Sequence, residues 1–192
     1  MVEVKKLVPD MWEDYLDFFE NRAFTDGNVN KGCYCVWHHW TDQHEYERSQ
    51  LPVEERPLVK KNFAAQLIRE GKLNGFAAYH SGVMVGFCNA DNKDNYFRLS
   101  ENNTSENNSK KLSIVCFTVA PEMRGRGVAS ALLRAVCEYA AASGYDYVES
   151  YPSDKEFSPY ECCGNVSMYL KQGFEVYPAG DGIIVRKKLR QY

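Results

Sequence analysis

The sequence predicts one α/β domain built on a mixed sheet. Three observations carry that expectation. Stretches with strand-type alternation and stretches with helical spacing follow one another as βα, irregular, α, ββ, βα, βα, ββ, an order that packs helices onto a sheet. The chain has 192 residues, the size of one domain and long enough to bury a core. No internal repeat and no linker divides it.

Taken in order, residues 2–8 alternate as a strand. Asp10 is a fitting N-cap with Glu13 three residues on, and Trp12, Tyr15, Leu16 and Phe19 recur at helical spacing, so a first helix runs to about residue 23. Residues 25–51 are irregular, rich in aromatics and His, and hold Cys33 and Cys35; a stretch this long is usually functional or contains short helices. Pro57 opens a second helix, Val59, Phe63, Gln66 and Leu67 share a face, and Gly71 ends it. Residues 75–80 and 83–90 are two strands about a Ser81-Gly82 turn. Residues 100–110 form a polar tip, and residues 112–119 are an apolar, β-branched central strand. A long helix then carries Val128, Leu132, Val136 and Ala140 to a Gly144 cap. Residues 145–151 are a strand, 165–172 a short helix stopped by Gly173, and 174–177 and 183–189 two closing strands.

Composition excludes several classes. Lys and Arg number 23 against 26 Asp and Glu, a net charge of −3 that speaks against a sequence-independent nucleic-acid binder. No run approaches the ~18 apolar residues of a membrane span, and residues 1–8 lack a signal-peptide core, so a cytoplasmic location is expected. Seven cysteines in such a chain are expected to be thiols rather than a disulfide framework. The Asn-x-Ser/Thr matches at Asn102, Asn103, Asn107 and Asn165 are then irrelevant to glycosylation.

The chemistry concentrates in the run from Val119 to Ala129, where a buried strand ends at Pro121 and a Gly-rich turn opens a helix. Gly125 and Gly127 leave backbone N–H groups unshielded, the helix N-terminus favours negative charge, and Arg124 and Arg126 add positive charge: an anion cradle. A tight strand-to-helix turn alone would use the same glycines. No Gly-Lys-Ser/Thr follows, so it is not a P-loop, and the third glycine of the dinucleotide fingerprint is missing.

Arg124-Gly125-Arg126-Gly127-Val128-Ala129 resembles the pyrophosphate motif of the GNAT N-acetyltransferase superfamily, Gln/Arg-x-x-Gly-x-Gly/Ala. About forty residues on, Asn165-Val166-Ser167-Met168-Tyr169-Leu170-Lys171-Gln172-Gly173-Phe174 is similar to that family's second signature. The resemblance implies a mostly antiparallel sheet of six or seven strands, with residues 112–119 and 145–151 splaying apart to form an acetyl-CoA cleft. It implies a pantetheine arm paired with exposed backbone along Phe117, Thr118 and Val119. The pyrophosphate would lie on amides of Gly125, Arg126, Gly127, Val128, Ala129 and Ser130 beside Arg124, with Asn165 touching the pantetheine or the thiol end. The N–H near Val119 would hold the oxyanion. Tyr169 would protonate the leaving thiolate, since a phenol of pKa ~10 can donate to a thiolate of pKa ~8.5.

Glu149, on the splayed strand, is aimed at the cleft by alternation and is the expected base; His38, His39 or water alone are the alternatives. The Cys33–Trp40 run borders the acceptor in this reading, with Tyr34, Trp37 and Trp40 able to hold an ammonium by cation–π contact and His38 and His39 able to accept a proton. Its spacing lacks the usual Cys-x₂-Cys or His-x₃-His pairs, so no metal is expected. Cys162 and Cys163 precede the short helix as thiols, and Cys88, Cys116 and Cys137 fall in core patterns.

The function so read is acetyl transfer from acetyl-CoA to a primary amine of a small molecule or peptide, directly in a ternary complex, without nucleic-acid or membrane partners. A homodimer fits the resemblance. Two other classes stay open: a non-catalytic acetyl-CoA or ligand-binding regulator, and a zinc or thiol redox sensor on Cys33, Cys35, Cys162 and Cys163.

Overall fold

A computed structural model describes residues 2–100, 109–153, 162–180 and 182–189. The strands are β1 (Glu3–Lys6), β2 (Gly75–His80), β3 (Val83–Asn92), β4 (Lys111–Val119), β5 (Tyr147–Ser150), β6 (Glu175–Ala179) and β7 (Gly182–Lys188). They form one seven-stranded sheet in the order β1-β2-β3-β4-β5-β7-β6. Every pairing is antiparallel except β4 with β5. The mixed, mostly antiparallel sheet expected from the sequence is therefore present.

The helices are α1 (Trp12–Asn21), α2 (Asp42–Ser49), α3 (Arg56–Arg69), α4 (Phe97–Ser100), α5 (Val128–Ala142) and α6 (Val166–Leu170). Neighbouring residues of β3 show how they sit. Phe87 meets the ring of Tyr15 on α1 edge-on at 4.9 Å. A Cβ on Gly86 would come within 2.9 Å of Val128 on α5. Because successive strand residues face opposite sides, α1 and α5 cover opposite faces. Burial of Val128, Leu132, Val136 and Ala140 on α5 follows their helical spacing.

Two local expectations are corrected. A 3-10 turn, Pro9–Met11, precedes α1, and Met11 at the N-cap makes no side-chain bond, so Asp10 caps nothing there. On α3 the buried residues are Ala64, Ala65, Leu67 and Ile68, while Gln66 faces out and bonds Glu70. The irregular stretch 25–51 holds a 3-10 turn, Trp37–His39, and α2, whose Thr41 and His44 form a reciprocal capping box. Of the polar tip, residues 101–108 lie outside the described residues.

One irregularity shapes the centre of the sheet. Asn89 of β3 pairs with Cys116, but the next residue, Ala90, pairs with Ile114. Val115 is thus an extra residue on β4, a β-bulge. The parallel pairing of β4 with β5 runs from Lys111↔Tyr147 to Ile114↔Ser150 and stops at that bulge. Beyond it β4 continues to Val119 without β5 alongside, which is the splay expected between these strands.

Candidate active site

The splay exposes the β5-facing edge of β4, and a chain segment sits against it. The Phe117 N–H donates to Cys162 O. The thiols of Cys162 and Cys163 lie 3.7 and 3.3 Å from Val115 O, the bulge carbonyl. Val119 lies two residues beyond Phe117 and directs its N–H to the same side. The expectation of a free Phe117 N–H is corrected: a carbonyl already accepts from it. Gly164 permits this approach, with φ +82° and a Cβ position only 3.0 Å from Met168 Cε and 3.4 Å from Phe117 Cδ2.

At the far end of β4 a 3-10 turn, Pro121–Met123, leads into the Arg124–Gly127 turn and α5. Gly127 is the N-cap with φ 80°, a left-handed conformation that makes no side-chain bond to the first turn. The leading N–H groups of α5 are therefore uncapped, and open space surrounds both Gly125 and Gly127. Arg126 is exposed beside them. Arg124 differs from the expectation: its guanidinium pairs with Asp26 across 98 residues of sequence and its Nε donates to Val119 O, tying the cradle to the loop after α1. Asn165 caps α6, its Oδ1 accepting from the Ser167 N–H. The side-chain amide of Gln172 donates to Ser130 O, joining α6 to the start of α5.

Between the splay and the irregular stretch lies a cavity of about 910 Å³, lined in part by Phe117, Thr118, Val119, Trp37, His38 and Lys60. It accepts only part of the expected acceptor wall. Tyr34 is buried against Phe19, its ring 5.8 Å away, and its backbone carbonyl accepts from Tyr15 OH, so it packs rather than lines the cavity. His39 points to a separate cleft near Phe63 and Asn95. Trp37 lines the cavity, but Arg98 stacks 4.1 Å from its ring centroid and Lys60 lies at 5.9 Å. The ring's cation partners thus come from the protein itself, which corrects the expectation that it awaits a substrate ammonium. Trp40 is buried, with its indole N–H donating to Glu45.

The expected base is corrected as well. Glu149 is wholly buried, and its carboxylate accepts from Tyr151 OH at 2.6 Å while contacting Lys93 at 3.1 Å and Arg186 at 3.0 Å. Burial raises its pKa, but the Tyr151 bond, Lys93 and Arg186 outweigh that and hold it below the usual range. A carboxylate so bound is a structural anion. His38 and His39 are both pushed down to about 4, chiefly by burial, and are neutral at pH 7. His38 Nδ1 and His39 Nε2 are buried without a hydrogen-bond partner among the described residues.

Tyr169 is fully buried, its phenol against Cys163 O at 2.5 Å and Ser150 Oγ at 2.8 Å. Ser150 Oγ in turn donates to Ile114 O, so the phenol is linked to the last β5-paired residue of β4.

A second departure concerns the cysteines. Cys35 and Cys116 are joined as a disulfide, against the expectation that all seven are thiols. Both line the same cavity, as do Cys33 and Cys162. Spacing could not reveal this, because 81 residues separate the two halves. Among the described residues no group of three or more His, Cys, Asp or Glu side chains is arranged to hold a metal. No helix there is long and apolar enough to cross a membrane.

The profile of the Acetyltransferase (GNAT) family matches residues 33–174. No curated protein matches the chain. Among solved structures, the chain is similar to the PaiA N-acetyltransferase of Thermoplasma acidophilum in complex with coenzyme A, at 14% identity and TM-score 0.53 over 98% of this chain and 99% of that one. A Drosophila melanogaster polyamine N-acetyltransferase that forms N-acetylagmatine aligns at 11% identity and TM-score 0.58 over 98% and 100%. An N-acetyltransferase of Staphylococcus aureus aligns at 12% and 0.56 over 99% of each chain. At these identities the likeness is one of fold.

Two outcomes test the charge assignments. Glu149→Gln leaves Lys93 and Arg186 facing each other without their anion and is expected to cost about 3 kcal/mol, read as a lowered denaturant midpoint, with kcat of the folded variant within a few-fold. A kcat loss of a hundredfold in a folded variant would restore Glu149 as base. For His38 and His39 the folded pKa of about 4 lies below the ordinary 6.5, so the unfolded chain binds more protons between these values. Stability is then complete above pH 6.5 and falls as pH drops toward 4. The double variant His38→Gln with His39→Gln should flatten that acid slope; an unchanged slope contradicts the assignment.

Proposed function

Because this chain belongs to the acetyltransferase (GNAT) family and is an acetyl-CoA-dependent acyltransferase, we propose that it passes the acetyl group directly to a primary amine bound with acetyl-CoA in one ternary complex. The observation that carries this reading is the continuity of the cavity: it borders the splayed edge of β4 at Phe117–Val119 and reaches Arg124, three residues before Gly127, the N-cap of α5. Uncapped N–H groups from Gly125 to Ser130 suit a pyrophosphate. The pantetheine amides would take the edge of β4, which requires Cys162 O to give up the Phe117 N–H. The Val119 N–H faces the same edge and serves the oxyanion.

Tyr169 supplies the proton to the leaving thiolate in this reading, its OH turning from Cys163 O to the sulfur. His38, neutral and with an Nδ1 that finds no partner among the described residues, accepts a hydrogen bond from the incoming amine; the ammonium form first gives a proton to water, and the proton the nitrogen loses on attack also passes to water, which returns one to Tyr169. The lining carries the cations Lys31 and Lys60, with Arg124 already paired to Asp26, and the Trp37 ring is covered by Arg98. That environment favours an amine that also bears an anionic group over a polycation.

Thiol release from acetyl-CoA with charge-matched amines tests both levels. We expect 4-aminobutyrate to be acetylated with kcat/KM at least tenfold above 1,4-diaminobutane; the reverse order would overturn the anionic class. Gly127→Glu should abolish CoA binding by calorimetry while the circular dichroism spectrum stays native, since the carboxylate repels phosphate. Unchanged affinity would remove the cradle from the site. CoA binding without thiol release for any amine would support the regulator reading instead. Tyr169→Phe should lower kcat about 10²–10³-fold with little change in acetyl-CoA KM; near-normal kcat would make Tyr169 a packing residue.

A further inference from the structure

We propose that Cys35 and Cys116 are a reversible thiol–disulfide lock on the acceptor side of the cavity, closed by low-molecular-weight disulfides such as glutathione disulfide and opened by dithiols. The site rests on three observations. First, the bond joins the turn before Trp37 to the centre of β4, with Cα atoms 6.2 Å apart, and both residues border the cavity. Second, both cysteines have holding contacts besides the bond. Tyr34 and Cys35 adopt left-handed φ values of 48° and 44°, which a residue other than glycine keeps only when its neighbours impose them. Tyr15 OH donates to Tyr34 O at 2.6 Å and Asn89 Nδ2 to Cys35 O at 2.8 Å, while Tyr96 OH fixes Asn89 Oδ1 at 2.7 Å. Thr118 Oγ1 stands 3.4 Å from Cys35 Sγ and 3.7 Å from Cys116 Sγ. Opened, the pair stays poised to close.

Third, the other thiols are set apart. Cys88 and Cys137 are buried away from the cavity, and burial pushes both thiols up. Cys33 and Cys162 border the cavity, yet burial also raises the Cys33 thiol despite Lys60 and the N–H groups of Cys35 and Trp37. Few thiolates therefore form at Cys33 to compete; Cys35 and Cys116 are themselves 3% and 6% exposed and are reached from the cavity they border.

The exchange balances. A Cys35 or Cys116 thiolate attacks one sulfur of the small disulfide and expels a thiolate, leaving a mixed disulfide. The second cysteine attacks the protein sulfur and expels the other thiolate. Two protein thiols lose two electrons and two protons, and one small disulfide becomes two thiols. A dithiol reverses both steps. Closed, the bond fixes the turn carrying Trp37 and His38 to β4 beside Thr118. That the wall so fixed belongs to an acceptor site rests on the proposed function.

The whole protein is equilibrated with glutathione disulfide or with dithiothreitol, quenched in acid, alkylated and mapped by mass spectrometry. We expect one linked peptide pair containing Cys35 and Cys116 in the oxidised sample, and both residues alkylated in the reduced one. Acceptor KM should be about tenfold lower in the oxidised form, and Cys116→Ser should erase the difference, with Cys35→Ser as the second variant should the first not fold. Separate glutathione adducts on Cys35 and Cys116, or a Cys33–Cys162 link in their place, would overturn the lock. Equal acceptor KM in the two forms would overturn its control of the site. The mapping requires no turnover, so a protein that forms the link but acetylates no amine contradicts the proposed function and leaves the chemistry of the lock standing.

Discussion

Val115 is the residue on which the site geometry depends. One extra residue on β4, opposite the Asn89–Ala90 step of β3, ends the pairing with β5 at Ile114 and leaves the last five of the nine residues of β4 without that neighbour. A strand edge inside a sheet is costly unless its N–H and C=O groups find partners. Here the Cys162–Gly164 segment provides them: Cys162 O accepts from Phe117 N–H, and the cysteine thiols meet Val115 O. The same bulge that frees this edge of β4 therefore also recruits a chain segment that covers part of it.

Around this slot the buried charges and hydroxyls are bound to one another. Glu149, one strand away, has its negative charge matched by Lys93 and Arg186 and its remaining capacity taken by Tyr151. Its place beside the splay made it attractive as a base, but a carboxylate with two cations and a phenol is too weakly basic and too enclosed for that work. Tyr169 is bound differently. Its phenol contacts the Cys163 carbonyl and the Ser150 hydroxyl, both neutral groups.

The side of the cavity formed by residues 25–40 is built by long-range ties rather than by regular structure. Asp26 reaches Arg124, Asn89 reaches the Cys35 carbonyl, Arg98 covers Trp37, and Cys35 is bonded to Cys116. Each joins the irregular stretch to a different element, so residues 25–40 hold a defined wall although their longest regular piece there is a 3-10 turn. The cations bordering it come from three places: Lys31 from the stretch itself, Lys60 from α3, and Arg124 from the turn after β4, the last already paired with Asp26.

What the sequence determined by itself was whatever depends on near neighbours. Strand alternation, the helical spacing of Val128, Leu132, Val136 and Ala140, and the glycines at 125 and 127 are local, and the elements and the uncapped helix start follow from them. Two motifs in order then sufficed for the family, as the match over residues 33–174 bears out. Tertiary structure alone decided the rest: that Glu149 is a bound anion, that Tyr34 and His39 turn away from the cavity, that the Trp37 ring is already covered, and that Cys35 meets Cys116. Each depends on partners dozens of residues distant, brought together by the register of a sheet with one extra residue. Local spacing holds no record of such pairings, because hydrogen bonds, ion pairs and thiols act over a few ångströms of space whatever the length of chain between them.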